Sequence, residues 1–148
     1  MQISTKFTIA IHILAATEFF SPKMRVTSQL LAASIGSNPV IIRNIMSDLK
    51  SAGLIATKRG PGGMRLARPL EQITFYDVYE AVEKNKDQLF NFHDRPNPAC
   101  PVGRNIHAAL DSQLAALQHD FENDLKTFTV ASVAKNIHAQ LAKEEKSS

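Results

Sequence analysis

The tetrapeptide Gly36-Ser37-Asn38-Pro39 constrains this chain more than any other stretch of its sequence. Glycine after an apolar run readily enters the left-handed conformation that closes a helix. Asparagine before proline opens the next helix: the amide accepts from an orphan N–H, and proline lacks a donor that would go unpaired there. One helix must stop and another start within four residues, which is a helix-turn-helix. The first helix covers about residues 28–35, capped by Thr27, with Val26 and Leu31 as a hydrophobic staple. The second covers about 39–52, with Ile42, Ile45, Met46 and Leu49 on its apolar stripe and Gly53 at its end.

The hydrophobic period then changes. Residues 54–59 read as a strand, Gly60-Pro61-Gly62-Gly63 as a tight turn, and 64–66 as the returning strand. A hairpin directly after the second helix of a helix-turn-helix is a wing. Upstream, Ser4 or Thr5 caps a helix reaching Phe20, with Phe7, Ile11, Leu14 and Ala15 on one face and Ser21-Pro22 stopping it. Downstream, Thr74 caps a helix over 75–83, Asp77 sits at its third position, and Ile73 and Val78 staple it. Residues 84–104 are irregular and contain Pro96, Pro98 and Pro101. A long helix follows over 105–127. Its stripe of Ile106, Leu110, Leu114, Leu117, Phe121, Leu125 and Phe128 spans roughly 33 Å. Such a stripe outruns the flank of one small domain and suits a seam with a second copy, with packing on the first helix as the alternative. A short helix after Thr129 and a frayed charged end at 143–148 complete the chain. The expected fold is mainly α with a small β-hairpin wing. It divides into a winged helix-turn-helix domain (1–83), a loop that is a possible sensor segment (84–104), and a dimerisation helix with its C-terminal short helix (105–148).

Charge is distributed unevenly. Residues 1–70 hold nine Lys/Arg and two acids, whereas 71–148 hold eight basic and twelve acidic residues. The first half therefore suits a polyanion. No run approaches the roughly 18 apolar residues of a membrane span, and no secretory cleavage site follows the N-terminal helix. The single cysteine, Cys100, cannot form an internal disulfide. A cytoplasmic protein without membrane association is expected.

Double-stranded DNA offers a major groove that admits one helix with polar side chains near its start. The second helix of the motif supplies Ser37, Asn38, Pro39 and its first-turn amides, followed by Arg43, with Asn44 and Ser47 as secondary contacts and Lys50 reaching the backbone. The wing supplies Lys58, Arg59 and Gly60, then Arg65, and arginine is favoured in the negative potential of a narrow minor groove. The glycine-rich turn lacks the spacing of a nucleotide-binding loop. No nucleophile–base pair or cofactor fingerprint occurs, so an enzyme is not expected.

The stretch from Ile35 to Leu66, above all L-K-S-A-G-L-I-A-T-K-R-G-P-G-G over Leu49 to Gly63, resembles the Rrf family of bacterial winged-helix regulators. The resemblance runs from S-T-K-F at Ser4 to T-V-A-S-V at Thr129. It implies that Ser37, Asn38, Pro39, Arg43, Arg59, Gly60 and Arg65 face DNA. It also implies that the long helix crosses its mate in a homodimer and that operators are imperfect palindromes. Leu110, Leu114, Leu117 and Phe121 are the candidate seam. Many members of the family hold an iron–sulfur cluster through three cysteines before the long helix. Here only Cys100 stands in that segment, so no cofactor is expected, and the chain resembles the cluster-free branch whose loop reads like N-P-A-C-P-V-G at Asn97 to Gly103.

His93, Cys100 and His107 are evenly spaced potential ligands, but nothing in the sequence brings them together, and no metal site is expected. Cys100, near Arg95 and Arg104, is a candidate thiol switch, the alternative being a small buried residue that locks the loop. The expected function is sequence-specific transcriptional regulation, as a repressor, with an unknown small-molecule or protein effector as a possible further partner. The alternative is a winged-helix module that contacts protein without sequence-specific DNA binding.

Overall fold

The structure, a computed structural model, describes residues 3–58, 63–84, 89–90 and 93–147. Six α-helices and one hairpin follow in the order α1 (Thr5–Phe20), α2 (Ser28–Ile35), α3 (Pro39–Ser51), β1 (Ile55–Lys58), β2 (Gly63–Leu66), α4 (Phe75–Val82), α5 (Pro101–Leu125) and α6 (Val130–Ser147). The helix ends in the first half are set by the residues that the sequence singles out. Thr27 Oγ1 accepts from the Leu30 amide at 3.1 Å, and Asn38 Oδ1 accepts from the Val40 amide at 2.7 Å. Gly36 lies at φ 78°, and its N–H returns to the Ala32 carbonyl at 2.8 Å. Thr74 and Asp77 form a reciprocal capping box at the start of α4.

α1 lies at the centre of the core, packed against α2, α3, α4, α6 and β2. A single apolar stripe cannot serve so many neighbours. Ala10, Ile13, Leu14, Ala15, Ala16 and Thr17 are all buried, whereas Phe7 and Ile11 only flank the core. The hydroxyl of Thr17 donates to the Ile13 carbonyl at 2.6 Å, so its burial leaves no donor unpaired. Ile42, Ile45 and Leu49 anchor α3, and Val26, Leu31, Leu54, Leu70, Ile73 and Val78 close the remaining faces. Fully burying an aliphatic side chain contributes about 1.5–3 kcal/mol, so this shared cluster dominates the stability of the domain.

β1 and β2 pair antiparallel, with Ile55 opposite Leu66 and Lys58 opposite Gly63. The returning strand thus begins one residue earlier than expected, because Gly63 is drawn against the segment entering α2. The Met64 amide donates to the Val26 carbonyl at 3.1 Å.

The second half departs further from expectation. α5 starts at Pro101, not Asn105, because Pro101 occupies a first-turn position where its missing N–H costs nothing. The tail is not a short helix but 18 residues of α6, with Val130 and Ala134 buried in the core. It is α6 that packs on α1, while α5 meets the domain through α4. The α5–α6 corner is bound to the start of α4: the Phe75 amide donates to the Phe128 carbonyl and the Val130 amide to the Ile73 carbonyl, both at 2.9 Å. Across this joint Phe7 meets Phe75 edge to face and Phe75 meets Phe128 at a tilt, with centroids 5.9 and 5.6 Å apart. Among the described residues, no helix is long and apolar enough to cross a membrane.

Candidate nucleic-acid interface and cysteine loop

α3 divides cleanly into two faces. Ile42, Ile45 and Leu49 are buried, and Arg43, Asn44 and Ser47 project from the exposed face. Asn38 is exposed at the cap, with Ser37 and Pro39 half-exposed beside it. The Arg43 guanidinium makes no hydrogen bond or ion pair to another described residue, so its five donors face outward. The Lys50 ammonium donates to Thr57 Oγ1 on β1 at 3.0 Å, and it ties α3 to the hairpin.

Arg65 is exposed and sits opposite Ala56 in the ladder, on the face away from the buried Met64. Lys58 occupies the last ladder position, opposite Gly63. Arg59 and Gly60 lie outside the described residues. Between the start of α2, Met46 of α3 and the hairpin is a shallow concavity of about 260 Å³ that includes Arg25, Ser28, Gln29 and Thr57. Sequence reasoning did not single out these residues. Their signal was available: a helix start beside a cation and hydroxyls is a combination suited to phosphate.

The proposed seam residues do not share one environment. Leu117 is 53% exposed, Leu110 and Leu114 are half-buried, and Phe121 packs edge-on against Tyr79 of its own chain at 5.9 Å. Across the 25 residues of α5, Leu125 alone is buried. A helix about 37 Å long with one buried residue leaves its apolar stripe largely unpartnered among the described residues.

Cys100 caps α5 from a tight turn. The Ala99 amide donates to Asn97 Oδ1 at 3.0 Å, and the Cys100 amide to the Asn97 carbonyl at 3.1 Å. The backbone N–H of Gly103, and then that of Val102, hold the Cys100 thiol below its ordinary pKa. The cause is therefore the helix start and not the neighbouring arginines. Arg104 points its guanidinium back to the Pro98 carbonyl at 3.4 Å. His107 Nε2 lies 3.0 Å from the His93 carbonyl oxygen, with the two rings edge to face at 5.5 Å. Among the described residues, no three His, Cys, Asp or Glu side chains converge on a metal-sized point.

An apolar groove of about 470 Å³ runs between α1, α2 and α6, lined by Ile11, Phe19, Val133, Ile137 and Leu141. Its polar rim is His12 Nε2 and Ser34 Oγ, 3.0 Å apart. Partial burial of the imidazole holds the His12 pKa below its ordinary value.

Comparison with known proteins places this architecture. Residues 3–136 match the Rrf2 family, described as "Iron-dependent Transcriptional regulator". The chain is 34% identical over 136 residues to the "Putative HTH-type transcriptional regulator YwnA" of Bacillus subtilis (strain 168), covering 92% of this chain and 99% of that protein. Among solved structures, a "putative DNA binding protein" superposes with a TM-score of 0.69 at 32% identity, over 86% of this chain and 97% of that one. The structure titled "T. potens IscR" shares the fold, with a TM-score of 0.68 at 20% identity over 93% of this chain and 88% of that one. The basic winged helix-turn-helix, the long outlying helix and these likenesses agree: the chain belongs to the Rrf2 family of transcriptional regulators.

Proposed function

We propose that this chain is a homodimeric, cytoplasmic transcriptional repressor that binds an imperfect palindrome. In this reading α3 enters the major groove, and the hairpin, with Lys58, Arg59, Gly60 and Arg65, lies at the minor groove. The observation that carries it is the outward face of α3, where Arg43, Asn44 and Ser47 are exposed beside Asn38, opposite the buried Ile42, Ile45 and Leu49. Arg43 suits guanine and Asn44 suits adenine as forked partners in the major groove. The unpartnered stripe of α5 supports a seam with a second copy centred on Leu110, Leu114 and Leu117, and two-fold pairing of the chains requires two matching half-sites. Phe121, already held by Tyr79, shapes that seam from beneath.

The family description names iron, and the donor set here does not fit a cluster. One cysteine cannot replace three, and His107 is engaged with the His93 carbonyl. We therefore read the chain as working without a metal or iron–sulfur cofactor. The loop's remaining chemistry is the Cys100 thiol, whose thiolate is favoured by the amides that open α5. Its oxidation by a peroxide gives a sulfenic acid and hydroxide, and would rearrange the cap of the helix that carries the seam. A small-molecule or protein effector is the other possible input, and the groove beside His12 has the size and apolar lining of a small-ligand site.

Fluorescence anisotropy on duplex DNA, with a salt series, tests the reading. With six to ten phosphate contacts, affinity should fall about 10³–10⁵-fold between 50 and 200 mM salt. Binding a duplex no better than an acidic peptide at physiological salt would instead establish a protein-contact module. Repeating the titration with peroxide on the native chain and on Cys100→Ser separates a sensing cysteine from a structural one. Oxidant loss confined to the native chain identifies the sensor.

A further inference from the structure

The outward face of α3 contains an apolar residue where solvent exposure alone would favour a polar one. At ~100° per residue, Val40 lies almost diametrically opposite Ile42, Ile45 and Leu49, the three residues that anchor the helix. It is 53% exposed and shares its stripe with Arg43, Asn44 and Ser47, one and two turns along. Ile41, 45% exposed, borders the same patch about 100° further round, on the side of Asp48.

Helix stability does not explain this choice. β-branched residues are weaker helix formers than straight-chain ones, and a first turn gains from Asp or Glu through the helix dipole. The first turn of α3 has no acidic residue, as in α1, α2, α5 and α6, so no carboxylate there opposes a phosphate. A carboxylate at this place would repel phosphate, whereas valine contributes a compact apolar cap beside two forked hydrogen-bonding side chains. The major groove presents one apolar group for such a cap, the C5 methyl of thymine.

Resting on the reading that α3 enters the major groove, we propose that Val40 determines operator specificity by packing against a thymine C5 methyl in each half-site. Arg43 and Asn44 then read the hydrogen-bonding edges beside it. Burying one methyl against Val40 corresponds to about a fourfold gain in affinity, and to about fifteenfold when both half-sites of a palindrome contribute.

The test begins with duplexes selected by the full chain from a random pool. Each thymine of the tightest duplex is then replaced singly by deoxyuridine, which pairs identically but lacks the methyl. The expected result is one position per half-site where replacement weakens binding about fourfold. In Val40→Ser, thymine and deoxyuridine should bind equally there, while Ile41→Ser should retain the penalty. Both side chains are exposed, so these variants keep the buried core intact. A native chain indifferent to every deoxyuridine, or a penalty that persists undiminished in Val40→Ser, overturns the assignment while leaving DNA binding standing. A penalty abolished only by Ile41→Ser transfers the contact to Ile41 and also overturns it. Failure to bind any selected duplex defeats the α3 reading and this inference together.

Discussion

Substitution of Gly63 by alanine should reveal how firmly the base of the wing is locked to the entry of α2. Gly63 lies at φ 62°, and a Cβ there would stand 2.6 Å from Arg25 Cγ, 2.8 Å from the Val26 carbonyl oxygen and 3.2 Å from the Val26 nitrogen. Gly36 is the internal control: its φ is 78°, and a Cβ there meets nothing within 4 Å. Both substitutions incur the left-handed penalty of about 1–2 kcal/mol for an L side chain. Both also restrict the unfolded chain, which returns about 0.4–1 kcal/mol in each case and cancels in the comparison. Only Gly63→Ala must in addition displace backbone. Forcing an atom into packed structure costs about 1–3 kcal/mol, and the bond from the Met64 amide to the Val26 carbonyl is the contact most exposed to that shift. Gly63→Ala should therefore be about 1–3 kcal/mol less stable than Gly36→Ala. The assay is urea denaturation followed by circular dichroism at one fixed protein concentration, since association would otherwise shift the midpoints. Equal losses in the two variants, within about 0.5 kcal/mol, would refute the reasoning and mean that the wing base yields freely.

Further outcomes follow from the seam and from the groove. Leu114→Glu combined with Leu117→Glu should give folded monomers with weakened DNA binding, because neither side chain belongs to the buried core. A double variant that still sediments as a dimer would place the seam elsewhere. His12 has a folded-state pKa below its ordinary value of about 6.5, so on acidification the unfolded chain takes up the proton first. Its contribution is complete above pH ~6.5 and is lost as the pH falls through the lowered folded value. The urea midpoint of the native chain should thus drop more between pH 7.5 and 5 than that of His12→Gln. Parallel curves would show that this imidazole does not couple to folding.

The features legible in the sequence were those whose physics is local. Thr27, Gly36, Asn38-Pro39 and the Thr74–Asp77 box each satisfy backbone groups within four residues, so type and spacing alone identify the helix ends. The polar face of α3 was equally readable, because Ile42, Ile45 and Leu49 define its opposite by periodicity. What tertiary structure decided was every matter of partnership. Pro101 reads as one more proline of a loop until the turn at Asn97 places it at the first position of α5. The segment after Thr129 reads as a short helix with a frayed end at 143–148, yet α6 runs from Val130 to Ser147, and Val130 and Ala134 reach the core and carry it onto α1. Lys50 and Phe121 acquire partners that spacing along the chain does not name, Thr57 on β1 and Tyr79 on α4. The downward shift of the Cys100 pKa comes from amides at its own helix start, which no charge count along the sequence locates. Local hydrogen bonds are encoded within one turn of chain, whereas burial, pairing and electrostatic surroundings exist only once distant segments meet.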